Sequence, residues 1–212
     1  MFPTIEVRWF FEGTPSLAVV EWFAQGEPES EAQPGRVDYY LRLTDGDGLG
    51  IKLRQGRLEV KQRHRQYGLV HLHQRVTGRV EGWRKWSFEL AGCDRDLASI
   101  LVPAPSWIGV KKERRLRRYR VTSREMVVAV PTEAGTGQGC GLELTRIIIE
   151  GSQWWSLGFE AFGDQARLYD TLLRVATQVF AAGEPPSLDA KDSYGYPRWL
   201  EINEQRRISC AS

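Results

Sequence analysis

Pairs of cations spaced two residues apart recur along this chain, and they are its most suggestive chemical feature. In Ile51-Lys52-Leu53-Arg54 the cations fall on one face of an extended segment and the aliphatics on the other. In Leu58-Glu59-Val60-Lys61-Gln62-Arg63 the charged residues Glu59, Lys61 and Arg63 share a face. Glu6 and Arg8 alternate with Ile5 and Val7, Arg79, Glu81, Lys85 and Glu89 line up further on, and Arg118 and Arg120 alternate with Tyr119 and Val121. An antiparallel sheet with one wet face also alternates polar and apolar residues, but here Arg and Lys recur where Ser, Thr or Gln would serve. If these faces turn into a barrel, guanidinium forks and lysine point charges can bind phosphate oxygens. Such a lumen needs interleaved carboxylates, an anion or a metal–anion complex to offset its self-repulsion.

The elements that must position these residues are mostly strands. Thr4 to Phe11 alternates as a half-buried strand, and strands are expected near 37–43, 49–54, 57–63, 78–90, 106–112, 117–122 and 126–130, with Asp45-Gly46-Asp47-Gly48 and Gln55-Gly56 as turns. A short helix follows Thr14, with Thr14 as cap, Pro15 in the first position, Gly26 past the end, and Leu17, Val20 and Phe23 or Ala24 facing inward. Residues 27–36 and 131–139 read as loops. A hairpin turns at Glu150-Gly151-Ser152-Gln153. From Asp164, the expected cap, Leu168, Leu172, Val175, Ala176 and Val179 mark an amphipathic helix that stops at Gly183. The tail 183–212 is irregular in pattern, with Tyr194, Tyr196, Trp199 and Leu200 available to dock back.

The 212 residues suit one domain, read as 1–212, with a core supplied by eight Trp and eight Phe. Cys93, Cys140 and Cys210 lack the spacing of a zinc site or a disulfide framework, which suggests reduced thiols. The amino terminus does not read as a secretory signal and no segment reaches the ~20 apolar residues of a membrane helix, so a cytoplasmic protein with no membrane partner is expected. A net charge of +2 does not by itself imply nucleic acid. The run Lys111 to Arg120, KKERRLRRYR, interleaves an aromatic only at Tyr119, which disfavours a nucleic-acid patch and suits a solvated face or the wall of an anion site. His71 and His73 share a strand face without an evident third metal ligand, and Gly135 to Gly139 reads as a loop rather than a phosphate cradle.

Taken in order, these segments resemble the CYTH or triphosphate tunnel superfamily. Thr4-Ile-Glu6-Val-Arg8 stands where that family opens with ExExK, Asp38-Tyr39-Tyr40 resembles its tyrosine-bearing strand, and Ile51–Arg54 and Leu58–Lys61 resemble its LRIR-like and LTLK-like strands. Lys112 and Arg114 resemble a later K-x-R element, Ser156-Leu-Gly158-Phe-Glu160-Ala-Phe162 is similar to an LGxFxEIE strand before a helix, and Ser193-Tyr194 resembles a serine–tyrosine pair near the family's end. The resemblance implies a mainly β, closed antiparallel barrel with a short N-terminal helix and a C-terminal helix. It also implies a triphosphate held by Arg8, Lys52, Arg54, Lys61, Lys112 and Arg114, and Mg²⁺ or Mn²⁺ held by Glu6 and Glu160 with help from Glu143. Thr4 and Phe162 stand where the family carries acids, so metal-dependent hydrolysis should suffer before binding does.

Two functions of different class follow. The first is a divergent tunnel that binds tripolyphosphate, polyphosphate or a nucleoside triphosphate and hydrolyses it with a divalent metal, Glu6 and Glu160 serving catalysis. The alternative is a non-catalytic binding module for a phosphorylated metabolite, nucleotide or protein. An RNA contact through residues 111–120 is a weaker third.

Overall fold

The computed structural model describes residues 2–25, 33–43, 46–90, 106–131 and 137–210. Nine strands form its frame: β1 (Phe2–Glu12), β2 (Gln33–Leu41), β3 (Leu49–Arg54), β4 (Arg57–His73), β5 (Val76–Glu89), β6 (Trp107–Val121), β7 (Val127–Val130), β8 (Gly139–Ile149) and β9 (Ser152–Phe162). Three helices accompany them: α1 (Leu17–Ala24), α2 (Leu168–Ala181) and α3 (Tyr196–Cys210). All the strand pairings are antiparallel. They run β2-β3-β4-β5-β1-β9-β8-β6, and a β2–β6 pairing closes this ring of eight while β7 extends β6 outside it. The expected barrel with short flanking helices is therefore the observed fold.

Alternation decides what each face meets. On β1, Ile5, Val7 and Trp9 point outward and are buried against the outer core, while Glu6, Arg8 and Phe10 point into the barrel. The outer core joins these residues to Leu142, Leu157 and Phe159 and is covered by α1 and α2. Leu172, Val175, Ala176 and Phe180 of α2 are wholly buried there, and full burial of a large apolar side chain stabilises by about 1.5–3 kcal/mol. Inside the barrel, one end is filled with apolar groups: Phe10, Tyr40, Ile108, Val110, Ile147, Ile149 and Trp154 close around Trp199 of α3. The Trp199 ring stacks 5.2 Å from Phe10 and meets Trp154 edge-on at 5.9 Å.

Several sequence expectations shift by identifiable causes. The α1 cap is Ser16, whose Oγ accepts from the Val19 amide at 3.4 Å, so Pro15 precedes the cap and the buried face is Val19, Trp22 and Phe23 while Leu17 stays exposed. Strand β4 continues ten residues past the expected end because irregularities at 63/65, 66/68 and 71/73 break its alternation without breaking its pairing with β5. The segments expected at 106–112 and 117–122 are one strand, hidden by the charged run between them. Helix α2 starts at Leu168, after a turn in which the Asp164 carboxylate accepts from the Ala166 amide. The tail expected to be irregular holds α3; a weakly amphipathic sequence, docked mainly through Trp199, gives little periodic signal. Glu150 and Gly151 both take positive φ, making the tight β8–β9 turn as expected. Trp154 and Trp155 divide between the lumen and the outer core. The acidic loop at 27–31, Cys93 and most of 131–139 lie outside the described residues, and Cys140 is a buried free thiol.

Candidate functional site

A cavity of about 250 Å³ occupies the lumen beside the apolar end. Every residue that the resemblance assigned to phosphate or metal lines it, namely Glu6, Arg8, Lys52, Arg54, Lys61, Lys112, Arg114, Glu143 and Glu160, whereas Arg63, Arg79, Glu81, Glu89, Arg118 and Arg120 do not. Eight cations and five carboxylates contribute to the lining, a formal surplus of three positive charges. The additional cations are Arg36 and Lys85 and the additional carboxylates Asp38 and Glu59, and Tyr40, Thr145 and Tyr196 also contribute. Lys111 and Glu113 are exposed, whereas Lys112 and Arg114 line the lumen, so the basic run is split between two faces rather than forming one patch.

Register brings the acids together. Glu6 lies opposite Glu160 across β1 and β9 and opposite Glu81 across β1 and β5. The Lys61 ammonium sits between Glu6 and Glu160, donating to Glu6 at 2.6 Å and to Glu160 at 3.4 Å. Burial works against the charge on Lys61, but the two carboxylates prevail and raise its pKa. Burial likewise disfavours the Arg8 guanidinium, yet Glu143 and other neighbours raise its pKa above the ordinary arginine value. Arg8 donates to Glu143 at 3.1 Å and to Ser156 at 3.2 Å. Gly158 makes this possible, since a Cβ there would come within 3.0–3.2 Å of the Arg8 side chain. Glu143 also accepts from Arg114 at 3.1 Å and Thr145 at 2.8 Å, and despite burial these partners hold its carboxyl far below the usual range.

The opposite wall is organised around Asp38. This residue is 0% exposed, and Arg36, Lys112, Arg54 and Lys52 approach its carboxylate at 3.3, 3.4, 3.7 and 3.8 Å. Among the described residues neither Asp38 oxygen has a hydrogen-bond partner, but these cations overcome burial and lower its pKa. Burial and the Arg54 charge bring Lys52 down to about 8, although Asp38 and Glu59 oppose them. Lys112 is pushed well below the ordinary lysine value, first by burial. Its ammonium donates to the Tyr40 hydroxyl at 2.6 Å and lies 3.7 Å from the centre of the Tyr196 ring.

For a divalent metal, the test is the donor set. Glu6 and Glu160 converge, but on an ammonium, and Glu143 is engaged by two guanidinium groups. Among the described residues no three His, Cys, Asp or Glu side chains are grouped to hold a metal. Thr4 and Phe162, at the positions where the resemblance led to acids, face one another across β1 and β9. As arranged, these residues do not fit a resident hard cation, which wants several oxygen ligands.

The alternation signal was sufficient to find the strand cations. Arg36 and Asp38 carried the same signal with Tyr40, but it was obscured by reading residues up to 36 as a loop. Tyr196 had no comparable signal because a helix end brings it to the lumen. No family model and no curated protein matches this chain.

Proposed function

We propose that the barrel binds a short linear polyanion of the triphosphate type, inorganic tripolyphosphate or the phosphate chain of a nucleoside triphosphate. One observation carries this reading: eight cations from six strands line a single cavity that holds only five carboxylates. Guanidinium forks at Arg8, Arg36, Arg54 and Arg114 match phosphate oxygens in pairs, and the lysines supply compact charge. Chain phosphates with several negative charges would offset the surplus in a partly water-excluded site, where such contacts are stronger than in bulk water.

A second reading, retention of binding without turnover, is favoured by the Lys61 ammonium lying between Glu6 and Glu160. The hydrolytic reading would need Mg²⁺ or Mn²⁺ for charge stabilisation, and Glu6 and Glu160 as arranged hold the Lys61 ammonium rather than fitting such a cation. In the binding-only reading Lys61 stays between them.

The test is titration with tripolyphosphate, with and without Mn²⁺, following thermal stability, heat of binding and released phosphate together. Binding without release supports the module. Metal-dependent release that disappears in Glu6→Gln supports hydrolysis. Absence of binding under both conditions overturns the proposal.

A further inference from the structure

Along the strands of the tunnel the inward side chains change character in one direction. The row on β1 runs from Phe10 through Arg8 to Glu6, that on β6 from Val110 through Lys112 to Arg114, and that on β2 from Tyr40 through Asp38 to Arg36. Each row begins at the apolar end of the barrel. Exposure follows the same direction. Arg8 and Lys112, beside the apolar end, are 5% and 6% exposed, whereas the side chains of Lys85 and Glu160, further along, are 35% and 40% exposed. The cavity therefore has its mouth at the Lys85 and Glu160 end and its floor at Arg8, Lys112 and Tyr196.

Beyond that floor the bore is filled. Phe10, Val110, Ile147 and Trp154 pack around Trp199. The start of α3 fits closely against the β3–β5 side: a Cβ at Gly50 would lie 3.3 Å from Pro197, and one at Gly195 only 2.6 Å from the Trp83 ring. A phosphate chain continuing through this end would leave its charges among apolar side chains without partners, which is strongly unfavourable. The cavity of about 250 Å³ is also below the ~300–1,000 Å³ usual for drug-sized ligands, so it has little room for a nucleoside beside the phosphates. Charge favours one orientation as well. A terminal phosphate loses a second proton near neutral pH, which an internal phosphate does not have, so the chain end is the unit best matched to buried cations.

We infer that the tunnel is blind and takes a phosphate chain end-on, with an unsubstituted terminal phosphate innermost beside Arg8 and Lys112 and any organic group held at the mouth. This rests on the reading of the tunnel as a phosphate-chain site and narrows its ligands to chains with a free end. Tripolyphosphate and singly substituted triphosphates qualify. A chain capped at both ends does not, and a long polyphosphate is gripped only at its termini.

The test is calorimetry of the full chain in metal-free buffer with tripolyphosphate, ATP and diadenosine tetraphosphate, the last two carrying nearly the same charge. Tripolyphosphate and ATP should bind, and diadenosine tetraphosphate should bind at least about 100-fold more weakly than ATP, since neither of its ends can reach the floor. Sedimentation with a medium and a long polyphosphate of defined lengths then distinguishes a blind tunnel from an open one. A blind tunnel places one protein on each chain end whatever the length, and tripolyphosphate should displace it. An open tunnel threads more copies onto the longer chain. Equal binding of ATP and diadenosine tetraphosphate, a stoichiometry that grows with chain length, or polyphosphate binding that tripolyphosphate does not displace overturns the end-on inference while leaving tripolyphosphate binding intact. Failure of tripolyphosphate itself to bind overturns the reading of the tunnel, and this inference with it.

Discussion

The tunnel wall formed by β1, β8 and β9 carries Glu6, Glu143 and Glu160 with Arg8, whereas the wall formed by β2, β3 and β6 carries Arg36, Lys52, Arg54, Lys112 and Arg114 with Asp38. On the first wall the carboxylates are closely satisfied, two by Lys61 reaching across from β4 and one by Arg8 and Arg114. On the second, Asp38 is shared among Arg36, Lys52, Arg54 and Lys112 at 3.3–3.8 Å, and Glu59 reaches across from β4 to Lys52 and Arg54 at 2.9 and 2.8 Å. The contrast assigns different work to the two walls. On the proposed function the basic wall would hold most of the anion's contacts, while the acidic wall keeps Lys61 and Arg8 charged in a buried setting.

The largest effect should come from the basic wall. Replacing Lys52 and Arg54 together by Met removes two lumen cations while keeping much of their apolar stems, and tripolyphosphate affinity should fall on the order of 100-fold in calorimetry, the scale expected for losing desolvated charge contacts. An unchanged affinity would place the anion elsewhere. Asp38→Asn should act in the opposite direction, tightening binding about tenfold because the four surrounding cations lose their internal competitor. The ligand-free variant should also lose about 3 kcal/mol of stability in denaturant unfolding, since those cations lose a buried partner. Weaker binding would show that Asp38 organises the cations more than it competes with ligand. The acidic wall should respond less: Glu6→Gln frees Lys61 from its 2.6 Å partner and should strengthen metal-free binding about fivefold by direct titration. A large loss there would erase the distinction between the walls.

The two walls were also unequally legible in the sequence. Glu6, Arg8, Lys52, Arg54 and Lys61 sit in short alternating segments whose parity alone places them on one face. Lys112 and Arg114 could be paired only by cutting through the charged run that continues to Arg117, and parity did not announce that Arg117 would be buried under a helix. The barrel followed from many closely spaced strands. Its apolar end did not, because Phe10, Ile108, Ile147 and Trp154 become lumen residues through closure, and Trp199 reaches them from a helix far along the chain. The Lys61 contact with both Glu6 and Glu160 depends on side chains crossing the lumen from separate strands, a three-dimensional relation that local spacing cannot contain.

The smallest effect expected is a pH response in which stability and binding move oppositely. Lys52 has a pKa of about 8 in the folded protein, below its ordinary 10.5, chiefly because burial disfavours its charge. Between these values the unfolded chain holds more protons at this site than the folded chain, so this site's contribution makes ligand-free stability rise with pH through that window and level off above about 10.5. Binding needs the charged ammonium, so tripolyphosphate affinity should decrease over the lower part of the same window, by about threefold for the loss of one partly screened contact. Lys112, also lowered, reinforces both directions. Parallel denaturation and calorimetry series at constant ionic strength separate the two slopes. In Lys52→Met the difference between them should shrink; if affinity still falls as steeply as in the wild type, Lys52 is not the cation whose titration governs binding, and the division between the walls must be redrawn around Lys112.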